Sequence, residues 1–95
     1  MTDVQGTCDE RFMGVRDAFI DNFTSGKDVG ASVAVVLDGE PVVDLWGGAI
    51  DDAGTPWAED TIINVWSTTK TMTALSALIL ADRGELDLHA PVARY

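Results

Sequence analysis

A chain of 95 residues is long enough for one small core and leaves little room for a second. Hydrophobic residues make up 46% and charged residues 23%, ordinary globular values that exclude a disordered chain. Six basic against sixteen acidic residues give a formal charge of −10, which argues against nucleic acid or an anionic membrane as a partner.

The opening segment, Met1-Thr2-Asp3-Val4-Gln5-Gly6, has neither the basic region nor the apolar core of a secretory signal, so a cytoplasmic location is the default expectation. Cys8 is the sole cysteine; it has no internal partner, and its polar setting predicts an exposed, incidental thiol. Phe12, Val15, Phe19 and Phe23 then recur at helical spacing, with Arg11, Arg16, Asp17 and Asp21 between them. They predict an amphipathic helix over residues 9–23, ended by Ser25-Gly26. Asn22-Phe23-Thr24 matches a glycosylation acceptor, a pattern that matters only in a secreted chain.

A valine-rich run over 31–37 and a β-prone run over 41–46 flank Asp38-Gly39, the signature of a two-residue hairpin turn. Pro41 has no N–H for a ladder and belongs at a strand start or on an edge. Gly47-Gly48 closes the second strand, and residues 51–56 have loop chemistry throughout.

A second helix is predicted over 67–83, stopped by Gly84 in the C-cap role. Met72, Ala74, Leu75, Ala77, Leu78, Ile79 and Leu80 cover nearly its whole circumference, which predicts burial on most sides. One hairpin and one helix offer too little surface for that. A two-stranded sheet is marginal by itself, so this helix expects strands that the 95 residues do not contain. Residues 61–81 are long enough to span a bilayer, but Asn64, five threonines, two serines and Lys70 make them too polar to do so.

Lys70 is the one charged residue between Thr61 and Ala81, and it follows Ser67 by three positions at the predicted helix start. One helical turn puts residues i and i+3 on the same face, within reach of a hydroxyl–amine hydrogen bond. Burial and the positive end of the helix dipole both disfavour the ammonium form, and favour an amine able to accept a proton. The plainer reading keeps Ser67 as a helix N-cap and Lys70 as a surface lysine of the first turn; spacing alone does not choose between them.

Other constellations fit less well. Gly30-Ala31-Ser32-Val33-Ala34 loosely matches a nucleophile elbow, but that turn needs a strand before its serine and a helix after it, whereas Ser32 begins a strand. His89 precedes Pro91 in a short turn expected to be exposed, which disfavours a triad with Ser67. A single histidine and a single cysteine argue against structural zinc, the aspartates show no calcium-loop spacing, and the glycines form no dinucleotide fingerprint. No cofactor and no metal are expected.

The segment Asp60-Thr61-Ile62-Ile63-Asn64-Val65-Trp66-Ser67-Thr68-Thr69-Lys70-Thr71-Met72-Thr73-Ala74-Leu75 resembles the active-site segment of serine β-lactamase-like proteins, nearest to class C β-lactamases and the related carboxylesterases. The resemblance extends to the helix near Phe19, the hairpin at Asp38-Gly39, the exit Asp44-Leu45-Trp46-Gly47-Gly48 and the tail Asp82-Arg83-Gly84-Glu85-Leu86-Asp87-Leu88. It implies an α+β fold, an antiparallel sheet packed with helices. To this fold residues 1–95 would supply an N-terminal helix, a β-hairpin and the buried active-site helix, as the incomplete N-terminal portion of a single domain.

The resemblance also implies a serine hydrolase. Ser67 would attack the carbonyl of a small-molecule ester, amide or lactam, with its own backbone N–H as an oxyanion donor, while Lys70 takes its proton as general base. Water would then release the acid. In the family a second oxyanion donor lies on a strand far downstream. The family's tyrosine-x-asparagine or serine-x-asparagine element and its later lysine- or histidine-containing strand find no match after Lys70, and Tyr95 lacks the following asparagine. The expectation is a carboxylesterase/β-lactamase-like enzyme, an esterase before a β-lactamase because no secretory signal is present, with acyl transfer to another acceptor, or a non-catalytic fragment acting only with other chains, as the alternatives.

Overall fold

The computed structural model of the protein describes residues 3–95, which fall into two units, one ending at Thr61 and the other running Ile62–Tyr95. In the first unit, strand β1 (Val4–Cys8) leads through a 3-10 turn (Glu10–Phe12) into helix α1 (Met13–Thr24), followed by strands β2 (Gly30–Leu37) and β3 (Glu40–Gly48). The strands form one antiparallel sheet in the order β1-β3-β2.

The hairpin falls where Asp38-Gly39 places it. Leu37 pairs with Glu40, and both turn residues are left-handed, with φ of 52° and 82°, the type I′ pattern whose twist matches that of the strands. Pro41 is the second residue of β3 and pairs with Val36 beside a bulge. Pairing with β1 reaches only to Val43, so Pro41 has a strand neighbour on one side alone.

Strand β1 is an element that the sequence analysis does not predict. Gly6 has φ of 106°, and a Cβ there would overlap the Asp44 carbonyl oxygen, so the strand crosses β3 at a point only glycine fits. Cys8, expected to be an exposed thiol, is half-buried at the end of this strand and packs against the core, its Sγ 3.4 Å from the Phe12 carbonyl oxygen.

The core consists of Phe19, Val42, Val43 and Leu45, with Val4, Cys8, Phe12, Phe23, Ala31, Val33 and Val35 packed around it. Residues 31, 33 and 35 alternate inward from β2 as period-two geometry requires. Phe19 and Phe23, one turn apart, meet edge to face with centroids 5.1 Å apart. Val15 is exposed instead. At about 100° per residue it falls roughly 60° to the side of the phenylalanine stripe.

The predicted helix over 9–23 begins later as an α-helix because Asp9 first builds the 3-10 turn. Its carboxylate accepts the Arg11 N–H at 2.9 Å and pairs with the Arg11 guanidinium at 3.0 Å. These contacts, the side-chain bond foremost, hold the Asp9 carboxyl below its ordinary range.

After β3, Ala49 bridges to Pro56 and the Trp57 N–H donates to the Gly48 carbonyl at 2.9 Å. Asp51 closes the intervening loop by accepting from the Thr55 hydroxyl at 2.7 Å and the Thr55 N–H at 2.9 Å, and both bonds lower its pKa.

In the second unit a 3-10 turn (Trp66–Thr68) runs directly into helix α2 (Thr69–Asp82), close to the predicted 67–83. Gly84, at φ 73°, ends the helix. Its N–H donates to the Ala81 carbonyl and that of Glu85 to the Leu80 carbonyl, the two bonds of a Schellman cap. The expectation that this helix is buried on most sides is not met: no residue of α2 is buried, and Met72 is 60% exposed. Its apolar circumference finds no covering surface among the described residues. No helix of these residues is long and apolar enough to cross a membrane.

Candidate active site

Ser67 is the middle residue of the Trp66–Thr68 turn, and Lys70 lies in the first turn of α2. Their three-residue spacing places Nζ of Lys70 3.3 Å from Oγ of Ser67, the ammonium donating to the hydroxyl. In the neutral state the same pair reverses, and the hydroxyl donates to the amine. The N-cap alternative does not describe this geometry. Thr68 occupies the N-cap position of α2 without a side-chain capping bond, and the Ser67 hydroxyl is bonded to Lys70.

The backbone around Ser67 bears on the same chemistry. The turn's first bond runs from the Thr68 N–H to the Val65 carbonyl, and the Thr69 N–H points back to Trp66 and Ser67. The N–H of Ser67 itself precedes those bonds and has no intrahelical acceptor. It sits at the positive end of a 14-residue helix, where negative charge is favoured. The expected burial is not met, since Ser67 and Lys70 are both exposed.

Trp66, immediately before Ser67, has φ of 49°, a left-handed conformation uncommon for a bulky side chain. Its N–H donates to Oδ1 of Asn64 at 3.0 Å, while the residue is 80% exposed. Sequence reasoning passed over this arrangement. The available signal was Asn64 itself, since an asparagine side chain readily bonds the backbone N–H two residues on.

The remaining candidates lie in other segments of the chain. Ser32 lies within β2 opposite Trp46 and not on a strand-to-helix turn. His89 is exposed in a turn where its backbone N–H donates to Asp87. The Tyr95 hydroxyl accepts the Asp87 N–H at 2.8 Å, a bond local to the second unit. Among the described residues no group of three or more metal-binding side chains converges. Two clefts, of about 360 and 310 Å³, lie in the first and second unit respectively, and neither is lined by Ser67 or Lys70.

The chain is similar in sequence and fold to several known proteins. The chain is 48% identical over 93 residues to the esterase/beta-lactamase LipL of Mycobacterium tuberculosis, covering 97% of this chain and 22% of that protein. It is 44% identical over 68 residues to the esterase EstB of Burkholderia gladioli, covering 70% of this chain and 17% of that protein. The crystal structure of a family VIII carboxylesterase superposes with a TM-score of 0.91 at 51% identity, over 98% of this chain and 26% of that one. The chain thus spans about a fifth of the length of the curated relatives it matches. A family description for beta-lactamases matches residues 16–95, and with relatives this similar over nearly every described residue, the chain belongs to the beta-lactamase family of hydrolases, with its α+β fold.

Proposed function

We propose that this chain is the nucleophile-bearing portion of a larger serine hydrolase domain acting on small-molecule carboxylic esters through an acyl-serine intermediate. The observation that carries this reading is the 3.3 Å approach of Lys70 Nζ to Ser67 Oγ at the start of α2. Ester substrates are supported by the relatives, two of them esterases by name and a third a carboxylesterase.

In this mechanism the neutral Lys70 amine takes the Ser67 proton as Oγ attacks the ester carbonyl. The tetrahedral oxyanion is held in part by the Ser67 N–H; one such donor is worth about 3 kcal/mol in the transition state. Collapse breaks the bond to the alkoxy group, which leaves as the alcohol with the proton from Lys70. Water then attacks the acyl-serine, gives its proton to Lys70, and the acid departs as Ser67 is re-protonated.

The test uses a fluorophosphonate probe and a short p-nitrophenyl ester, applied to the 95-residue chain and to the extended open reading frame that contains it. The extended protein is expected to be labelled and to turn over the ester, and Ser67→Ala to abolish both. Full activity in Ser67→Ala would overturn the assignment. The exposure of α2, which has no buried residue, favours a second outcome for the short chain, little or no turnover, because water at the site weakens the electrostatic contacts the reaction needs. Turnover by the 95 residues alone, lost in Ser67→Ala, would show instead that the chain is a sufficient catalyst.

A further inference from the structure

We propose that Asn64 is a positioning residue for the Ser67 nucleophile, acting through the backbone of Trp66; this rests on the hydrolase reading above. The peptide joining Trp66 to Ser67 sets both the direction of the Ser67 N–H and the exit of its side chain toward Lys70. That peptide is oriented by a residue with φ of 49°, a conformation that persists in a bulky side chain only where something holds it. Packing does not hold it, because Trp66 is 80% exposed. The turn's own backbone bond, from the Thr68 N–H to the Val65 carbonyl, spans Trp66 and Ser67, and the Trp66 N–H is fixed by a side-chain bond to Asn64 Oδ1 at 3.0 Å. Among the described residues it is the one side-chain hydrogen bond made to the turn from the residues preceding it.

Loss of that acceptor lets Trp66 relax toward negative φ, which rotates the following peptide and takes Oγ away from Nζ. The role belongs to the oxygen and not to the amide nitrogen, so aspartate preserves it and alanine removes it. Glycine at position 66 adopts the left-handed conformation without help, so it makes Asn64 dispensable.

The experiment compares Asn64→Ala, Asn64→Asp, Trp66→Gly and the double variant Asn64→Ala/Trp66→Gly in the extended protein, with a p-nitrophenyl ester as substrate. Asn64→Ala is expected to lower kcat by about 10- to 100-fold with KM little changed, the scale of a misplaced reacting group. Asn64→Asp is expected to rescue it, and Asn64→Ala to have no further effect once residue 66 is glycine. Amide hydrogen exchange of Trp66 in the 95-residue chain gives a readout that needs no catalysis: faster in Asn64→Ala, near wild type in Asn64→Asp.

Wild-type kcat in Asn64→Ala, while Ser67 still labels with fluorophosphonate, would overturn the positioning role and leave the hydrolase reading standing. A kcat loss in Asn64→Ala that persists unchanged in the glycine background would also overturn it, since the effect would not run through Trp66. Absence of labelling at Ser67 in the wild-type extended protein would remove the hydrolase reading, and this role with it.

Discussion

Lys70 reaches Ser67 and no carboxylate, for the ion pairs among the described residues are Arg11 with Asp9 and Arg94 with Asp87. Arginine could not take the role proposed for Lys70, because a guanidinium stays protonated at any working pH. Lys70→Arg in the extended protein is expected to keep the fold and the positive charge and to lower the acylation rate by at least about 10²-fold. Stopped-flow release of p-nitrophenol measures it, and an unchanged burst rate would leave Lys70 as a spacer only. The Ser67–Lys70 contact was legible in the sequence because it is local helical arithmetic. The left-handed Trp66 was not, since no periodicity reports φ at one residue.

At the scale of elements, the hairpin and both helices were readable, and β1 was not. Asp38-Gly39 states its turn in two residues, whereas Val4-Gln5-Gly6-Thr7-Cys8 has a glycine at its centre and only two β-branched residues. The strand exists because Gly6 allows close backbone approach to Asp44, a tertiary circumstance. Gly6→Val would raise local β-propensity and still destabilise the sheet, through overlap with the Asp44 carbonyl and a strained φ of 106°. A loss of about 2–4 kcal/mol in urea-induced unfolding is expected. A gain in stability would show that β1 does not cross β3 at this point.

Over the whole molecule, burial is unevenly shared between the two units. Val43 and Leu45 are each 1% exposed, whereas α2 has no buried residue. Amide exchange by mass spectrometry is therefore expected to be slowest in β3, with residues 69–82 exchanging at least about 10²-fold faster in the 95-residue chain. Equal protection in both would mean that α2 is covered in solution. The apolar circumference of this helix was plain in the sequence, but its surroundings were not, because the chain corresponds to 26% of the carboxylesterase it superposes on. A pattern of side chains announces the need for a partner surface without containing it.

The strand order β1-β3-β2 also fixes a sequence of events in folding. Strands β2 and β3 meet across two residues, a closure completed in about 1–10 μs for an isolated hairpin. Strand β1 must find the opposite edge of β3 across all of α1 and β2, so its pairing waits on a long loop closing. Until it arrives, the flank of Val43 and Leu45 on that side stays open, which makes Val4–Cys8 the last part of the sheet to become native.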